Sequence, residues 1–205
     1  MSTPTGPDWV VKLGGSLFAA PELPRWLDAC SALRGAVAIV PGGGPYADCV
    51  RQAQQRWGFG DDAAHALALG AMEQYGRQLC AMRPGLTPAA SPATLAAASA
   101  LGLTPVWMPR GMVLADRSVA ASWDVTSDSL AAWLALRLQA RGLVLVKSVP
   151  IATRNQAILA ETGVVDPAFP ALAARLHRVE LLHRSDWASL AALVGADRVA
   201  AGHAF

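Results

Sequence analysis

The chain has 205 residues, of which 53% are apolar and 16% charged, with a formal net charge of +2. That is length enough for one domain with a buried core, and too apolar a composition for a disordered segment. The positive charge forms no basic block, which excludes a nucleic-acid footprint, and charges or prolines interrupt each apolar run before it reaches a membrane span.

Asp8 to Leu13 reads as a buried strand turned by Gly14-Gly15-Ser16. Leu23, Trp26, Leu27, Cys30 and Leu33 recur at helical spacing, which predicts a helix over Pro21 to Leu33 ended by Gly35. Ala36 to Val40 is a second buried strand, followed by Pro41-Gly42-Gly43-Gly44-Pro45 and a helix from Tyr46 to about Trp57. Strand, glycine turn and helix thus occur twice, the pattern of an α/β domain with a parallel sheet and helices on both faces. Gly58-Phe59-Gly60 breaks the chain, and Asp61 is placed to cap a long helix from Asp62 to about Met82. A proline-rich loop over Arg83 to Pro92, a short helix over Ala93 to Ala100 and a strand over Thr104 to Met108 follow. Pro109 to Ser122 carries no clear pattern. Asp124 to Asp128 opens a helix ending near Arg141, and Leu143 to Lys147 is a continuous apolar strand. The remainder reads as a surface excursion over Ser148 to Asp166, helices over Pro167 to Leu176 and Ser185 to Val194, and strands over Arg178 to Leu182 and Arg198 to Ala201.

Met1 to Asp8 is polar and lacks a hydrophobic signal core, so a cytoplasmic protein is expected, with residues 1–205 as one domain. Cys30, Cys49 and Cys80 share no metal-ligand spacing and read as reduced thiols; no metal-ligating protein site is expected. The high apolar fraction points to a homo-oligomer.

Only two lysines occur against fifteen arginines, and both stand at the ends of expected strands. Lysine is a compact point charge that reaches one oxygen of a moving phosphoryl group, where arginine offers a planar fork. Lys12 precedes Gly14-Gly15-Ser16, and Gly42-Gly43-Gly44 directly precedes a helix. Glycines at strand ends let backbone N–H groups approach an anion, and a helix N-terminus adds a favourable dipole. Neither turn has the P-loop order, because here lysine lies before the glycines, and neither is a dinucleotide fingerprint. Asp124-Val125-Thr126-Ser127-Asp128-Ser129 places two carboxylates and three hydroxyls at a helix start, more than one cap requires. If both are helical, Asp124 and Asp128 share a face. The four histidines, His65, His177, His183 and His203, fall outside these motifs and read as surface or packing residues.

These residues resemble the amino acid kinase family. Lys12-Leu13-Gly14-Gly15-Ser16 is similar to its first phosphate loop, Val40-Pro41-Gly42-Gly43-Gly44-Pro45 to its second glycine loop, and Thr126-Ser127-Asp128-Ser129 to its mid-chain aspartate motif. The resemblance implies a three-layer αβα sandwich with a mostly parallel central sheet. Within the family, the string Ser122 to Ser129 resembles the small branch that includes (5-(aminomethyl)furan-3-yl)methyl phosphate kinase, an enzyme of methanofuran biosynthesis. It implies ATP and Mg²⁺ as cofactors and a small phosphorylated acceptor. Lys12 would contact the transferring phosphoryl group, with Lys147 as a second positive charge oriented by Asp128. Gly14, Gly15 and Ser16 would cradle nucleotide phosphates, and Gly42, Gly43 and Gly44 the acceptor side. Asp166 would mark the nucleotide-side loop, though a helix start with Pro167 in its first turn explains it equally well. Asp124 would pair with a substrate amine, and Thr126 and Ser127 would bind the acceptor. Two departures stand out: Ser148-Val149-Pro150 replaces an aspartate-glycine run common after the Lys147 strand, and no lysine follows Lys147.

In this reading the chain performs in-line phosphoryl transfer, in which positive groups and backbone N–H donors stabilise spreading negative charge. The alternatives are uridylate or isopentenyl phosphate kinase activity, or a non-catalytic protein that binds nucleotide or oxyanions, as in molybdate storage.

Overall fold

A computed structural model describes residues 6–200, and the side chains of 6–195. Its centre is a six-stranded sheet in the order β3-β4-β2-β1-β5-β6, with all strands parallel. The strands are β1 (Trp9–Leu13), β2 (Val37–Pro41), β3 (Leu86–Ala89), β4 (Thr104–Trp107), β5 (Gly142–Lys147) and β6 (Val179–His183). A 3-10 turn (Gly15–Leu17) follows β1, and among the described residues nine helices join or follow the strands: α1 (Leu23–Ala32), α2 (Gly44–Trp57), α3 (Asp61–Met82), α4 (Pro92–Ala100), α5 (Arg110–Leu114), α6 (Ser127–Arg137), α7 (Gln156–Glu161), α8 (Phe169–Ala173) and α9 (Ser189–Ala200). The three-layer α/β architecture expected from the sequence is therefore present, and the sheet is wholly parallel. No helix among the described residues is long and apolar enough to cross a membrane.

The central strands are buried on both faces, which is why β1 and β5 read as continuous apolar runs. Side-chain alternation divides them between two cores. Val10, Leu143 and Leu145 pack with α6 and α8, whereas Trp9, Val11, Val144 and Val146 pack with α1 and α9. Lys12 lies opposite Leu145 in the β1–β5 register. Lys147 is two residues beyond Leu145, so period-two alternation aims both lysines at the face covered by α6. From β1 the chain passes to β2 on one side and later to β5 on the other; the crevice at such a reversal is where open α/β sheets bind ligands.

Several local expectations need correction. Arg83 to Pro92 is not all loop, because Leu86–Ala89 forms β3. Pro88 argued against a strand, but β3 is an edge strand, where a missing N–H is tolerated. The surface excursion contains α7, whose N-cap Asn155 accepts from the N–H groups of Ala157 and Ile158. The patternless stretch after Pro109 holds α5. The last strand does not form: α9 continues to Ala200, and Ala201 lies outside the described residues, as does His203. Asp61 sits in the first turn of α3 behind the N-cap Gly60, without a side-chain cap bond.

Candidate active site

The two glycine loops touch backbone to backbone. A Cβ on Gly15 would stand 2.4 Å from the Gly44 nitrogen, and one on Gly42 would stand 2.4 Å from the Gly15 nitrogen. Neither contact can be relieved by turning a side chain, so both positions require glycine. The Gly42 N–H donates to the Leu13 carbonyl at 2.8 Å, which ties the second loop to the end of β1. Among the described residues no backbone acceptor takes the N–H groups of Gly15, Gly43 or Gly44. The helix α2 begins at Gly44, so its N-terminus stands at the second loop. Gly15, Ser16, Gly43 and Gly44 all line one cavity.

Lys12, Asp128 and Lys147 meet above these loops. Asp128 stands in the first turn of α6, buried, with its Oδ1 2.8 Å from Lys12 Nζ and its Oδ2 2.7 Å from Lys147 Nζ. Lys147 Nζ also donates to the Val164 carbonyl at 2.6 Å. Each lysine is only 7% exposed, so both charges are held largely out of water beside one carboxylate. Burial pushes the Asp128 carboxyl up, but the two ammonium charges more than offset it and the net shift is downward. Burial, then repulsion from Lys12, pulls Lys147 down to about 8, against the attraction of Asp128 and Asp166. Two cations sharing one anion leave a surplus positive charge, which suits a phosphate better than a neutral ligand. Lys12 Nζ also lies over Gly14, where a Cβ would come within 2.9 Å of it. Ser148 Oγ donates to Ser16 Oγ at 2.9 Å, closing β5 against the first loop.

Asp166 does not open toward a ligand. It is 8% exposed, and both its oxygens are engaged inside the protein. Its Oδ2 accepts from the Thr126 N–H at 2.9 Å, the Thr126 hydroxyl at 2.7 Å and the Ser129 N–H at 3.1 Å, and its Oδ1 accepts from the Ser129 hydroxyl. The nucleotide-side contact expected of it is replaced by a cap on α6. Thr126 is the N-cap of α6 and makes no cap bond of its own; the Ser129 N–H that such a bond would use is taken by Asp166.

A cavity of about 320 Å³ lies between the glycine loops, α2, α3 and residues 122–127. Ser16, Gly43, Gly44, Thr126 and Ser127 form one part of its wall. Asp124 is not in that wall. It is exposed and precedes α6, so it shares no helix face with Asp128. The carboxylates that line the cavity are Asp48 and Asp61, which sequence reasoning missed, as it did Arg51, His65 and Trp123. Spacing gave one usable signal: Asp48 and Arg51 lie one turn apart on the helix that opens at the second loop. His65 is half-buried, and burial lowers its imidazole pKa while Asp62 opposes the shift. The Arg51 guanidinium stacks 4.4 Å from the Trp123 ring centroid, and Trp123 Nε1 donates to Gln54 Oε1 at 2.6 Å. Gln54 Nε2 in turn donates to Asp61 Oδ1 at 2.8 Å, so α2 braces both the indole wall and the start of α3.

Residues 9–158 match the model of the amino acid kinase family. A search of curated proteins gave no match. The solved uridylate kinase of Archaeoglobus fulgidus superposes with a TM-score of 0.67 at 16% identity, covering 92% of this chain and 96% of its own. The UMP kinase of Ureaplasma parvum superposes with a TM-score of 0.60 at 14% identity, covering 87% and 90%. At such identities the likeness to these structures is one of fold. The family match spans β1, both glycine loops, the Asp128 helix and β5, and with it the chain belongs to the amino acid kinase family, a family of phosphotransferases.

Proposed function

We propose that this chain transfers the γ-phosphoryl group of ATP to the phosphate of a small acceptor seated in the cavity beside Thr126 and Ser127. The acceptor we assign is (5-(aminomethyl)furan-3-yl)methyl phosphate, which becomes its diphosphate in methanofuran biosynthesis. The observation that carries the reading is Asp128 held between Lys12 and Lys147 next to two abutting glycine loops. An acceptor phosphate is already ionised at neutral pH, its second pKa being about 6, so no general base is required. One acceptor oxygen bonds to the γ-phosphorus as the β–γ bridging bond breaks, and ADP leaves. Lys12 neutralises charge on the moving group, and Lys147 does so from the β5 side. Gly14, Gly15 and Ser16 serve the nucleotide phosphates, and Gly42, Gly43 and Gly44 the acceptor side. Among the described residues no group of three or more His, Cys, Asp or Glu side chains is placed to hold a metal. Bound together with ATP, Mg²⁺ would supply charge neutralisation to the phosphates.

The amine of this acceptor finds its carboxylate at Asp48 or Asp61, in place of Asp124, and the Trp123 indole gives the furan ring a flat wall. The test is incubation with Mg-ATP and each of three esters: the aminomethylfuran phosphate, UMP and isopentenyl phosphate, with products read by mass spectrometry. The aminomethylfuran diphosphate is expected as the main product. Preference for UMP or isopentenyl phosphate would overturn the acceptor assignment, and no diphosphate from any ester would overturn the transfer reading.

A further inference from the structure

Asp166 caps a helix from far away in the sequence, standing 40 residues from Thr126 and 37 from Ser129. Most N-caps accept one backbone N–H through the cap residue's own side chain. Here one buried carboxylate takes two N–H groups and two hydroxyls from the turn that carries Asp128. The same segment reaches the other side of the charge cluster: the Val164 carbonyl accepts from Lys147 Nζ at 2.6 Å. That segment is itself anchored. Val164 and Val165 donate to the Leu159 carbonyl at 2.8 and 3.1 Å, which joins them to α7, and Ala168 donates to the Asp124 carbonyl at 3.1 Å. Residues 164–168 therefore hold β5's lysine, the start of α6 and the strip 122–127 that walls the acceptor cavity.

We propose that Asp166 is a positioning residue: by capping α6 it fixes Asp128 between Lys12 and Lys147, and with Val164 it sets the distance between the two ammonium groups. This rests on the phosphoryl-transfer reading for its consequence in catalysis, but the placement of Lys147 is measurable without any turnover. The groups that face Lys147 are Lys12 from β1, Asp128 from α6, Asp166 and the Val164 carbonyl from the segment after α7, and His183, its register partner on β6. Asp166 contributes negative charge to this set, so its neutralisation makes the Lys147 ammonium harder to keep.

Asp166→Asn separates the cap from the charge. An amide oxygen at the Oδ2 position still accepts from Thr126 and the Ser129 N–H, and its NH₂ can donate to the Ser129 hydroxyl, so the cap survives and only the charge is lost. Because the chain has only two lysines, lysine labelled with ¹³C at Cε gives two side-chain signals, assigned by Lys12→Ala. In the Asn variant the Lys147 titration midpoint is expected to fall below that of the wild type. Asp166→Glu should restore the midpoint only if its longer arm preserves the cap. For turnover, Asp166→Ala, which loses charge and cap together, is expected to lower kcat about 10²-fold, the effect of misplacing catalytic groups by about 1 Å. The KM for ATP should change far less. A folded Asp166→Ala with wild-type kcat and an unmoved Lys147 signal would overturn the inference; if that variant does not fold, an Asp166→Asn protein with kcat lowered about 10²-fold at pH 7 would do so, because a preserved cap would then not preserve the site. A Lys147 signal displaced in Asp166→Ala, in a protein that transfers no phosphate, would uphold the positioning and sink the kinase reading instead.

Discussion

Replacing Lys12 by alanine separates two effects that the structure places on one atom. Lys12 Nζ is 2.8 Å from Asp128 Oδ1 and nearly buried, so its loss removes a preorganised cation from the site. Losing one such donor to a developing charge costs about 2.7–4 kcal/mol, which lowers kcat by about 10²–10³. The second effect concerns Lys147, whose pKa is pulled down to about 8 by burial and then by Lys12. Without Lys12 that repulsion is gone and Asp128 answers to Lys147 alone, so the Lys147 midpoint rises. The residual activity should then persist to higher pH than that of the wild type, whose turnover is expected to decline above about 8 as Lys147 loses its proton. The assay is kcat against pH, together with the lysine signal, of which a single one remains in this variant. Lys12→Arg should not restore turnover, because the ammonium lies over Gly14 with no room for a planar fork. Full turnover in Lys12→Ala, or a Lys147 midpoint that stays or falls, would refute the reasoning.

Lys147 also makes stability depend on pH. Its pKa is about 8 when folded against 10.5 ordinarily, so between these values the unfolded chain binds more protons and stability rises with pH. The gain is about 3 kcal/mol over that window. Cys30, pushed up to about 12 by burial, acts in the opposite sense above its ordinary 9, so the quantity to follow is the difference between wild type and Lys147→Met in urea midpoints. That difference should grow from pH 8 upward. Gly15→Ala drives a Cβ to 2.4 Å from the Gly44 nitrogen and should lower both Tm and transfer, whereas Gly111→Ala meets open space in α5 and should be neutral or stabilising by about 0.5–1 kcal/mol. Trp123→Phe loses the bond to Gln54, worth about 1 kcal/mol, and should raise acceptor KM roughly fivefold with kcat little changed. Replacing Asp48 and Asp61 together by asparagine should raise KM for an aminated acceptor and leave that of its amine-free analogue unaltered, by steady-state kinetics.

Much of the sheet was legible because buried parallel strands announce themselves as apolar runs, as in Trp9 to Leu13 and Leu143 to Lys147. The edge strand with Pro88 was hidden because its tolerance for proline depends on having no neighbour on one side, a tertiary fact. Lys12 and Lys147 could be singled out from scarcity, and their common face follows from strand parity. Their meeting at Asp128 depends on the β1–β5 register and the start of α6, which no local pattern contains. Asp124 misled for the same reason: four residues from Asp128 places it on the same face only if the helix has already begun, and α6 begins at Ser127. Asp166 stood 37 residues from the N–H it caps, and His65, Asp61 and Asp48 join the cavity only when α2 and α3 fold beside the second loop.

In the proposed reading both ammonium groups and both glycine loops address one transferring phosphoryl group. A crystal structure of the protein with ADP, Mg²⁺ and aluminium fluoride tests it most directly. A planar fluoride group is expected within hydrogen-bond reach of Lys12 Nζ and Lys147 Nζ, with the ADP phosphates along Gly14 and Gly15 and the open cavity beyond Gly44. A nucleotide bound with its terminal phosphate away from either lysine would contradict it.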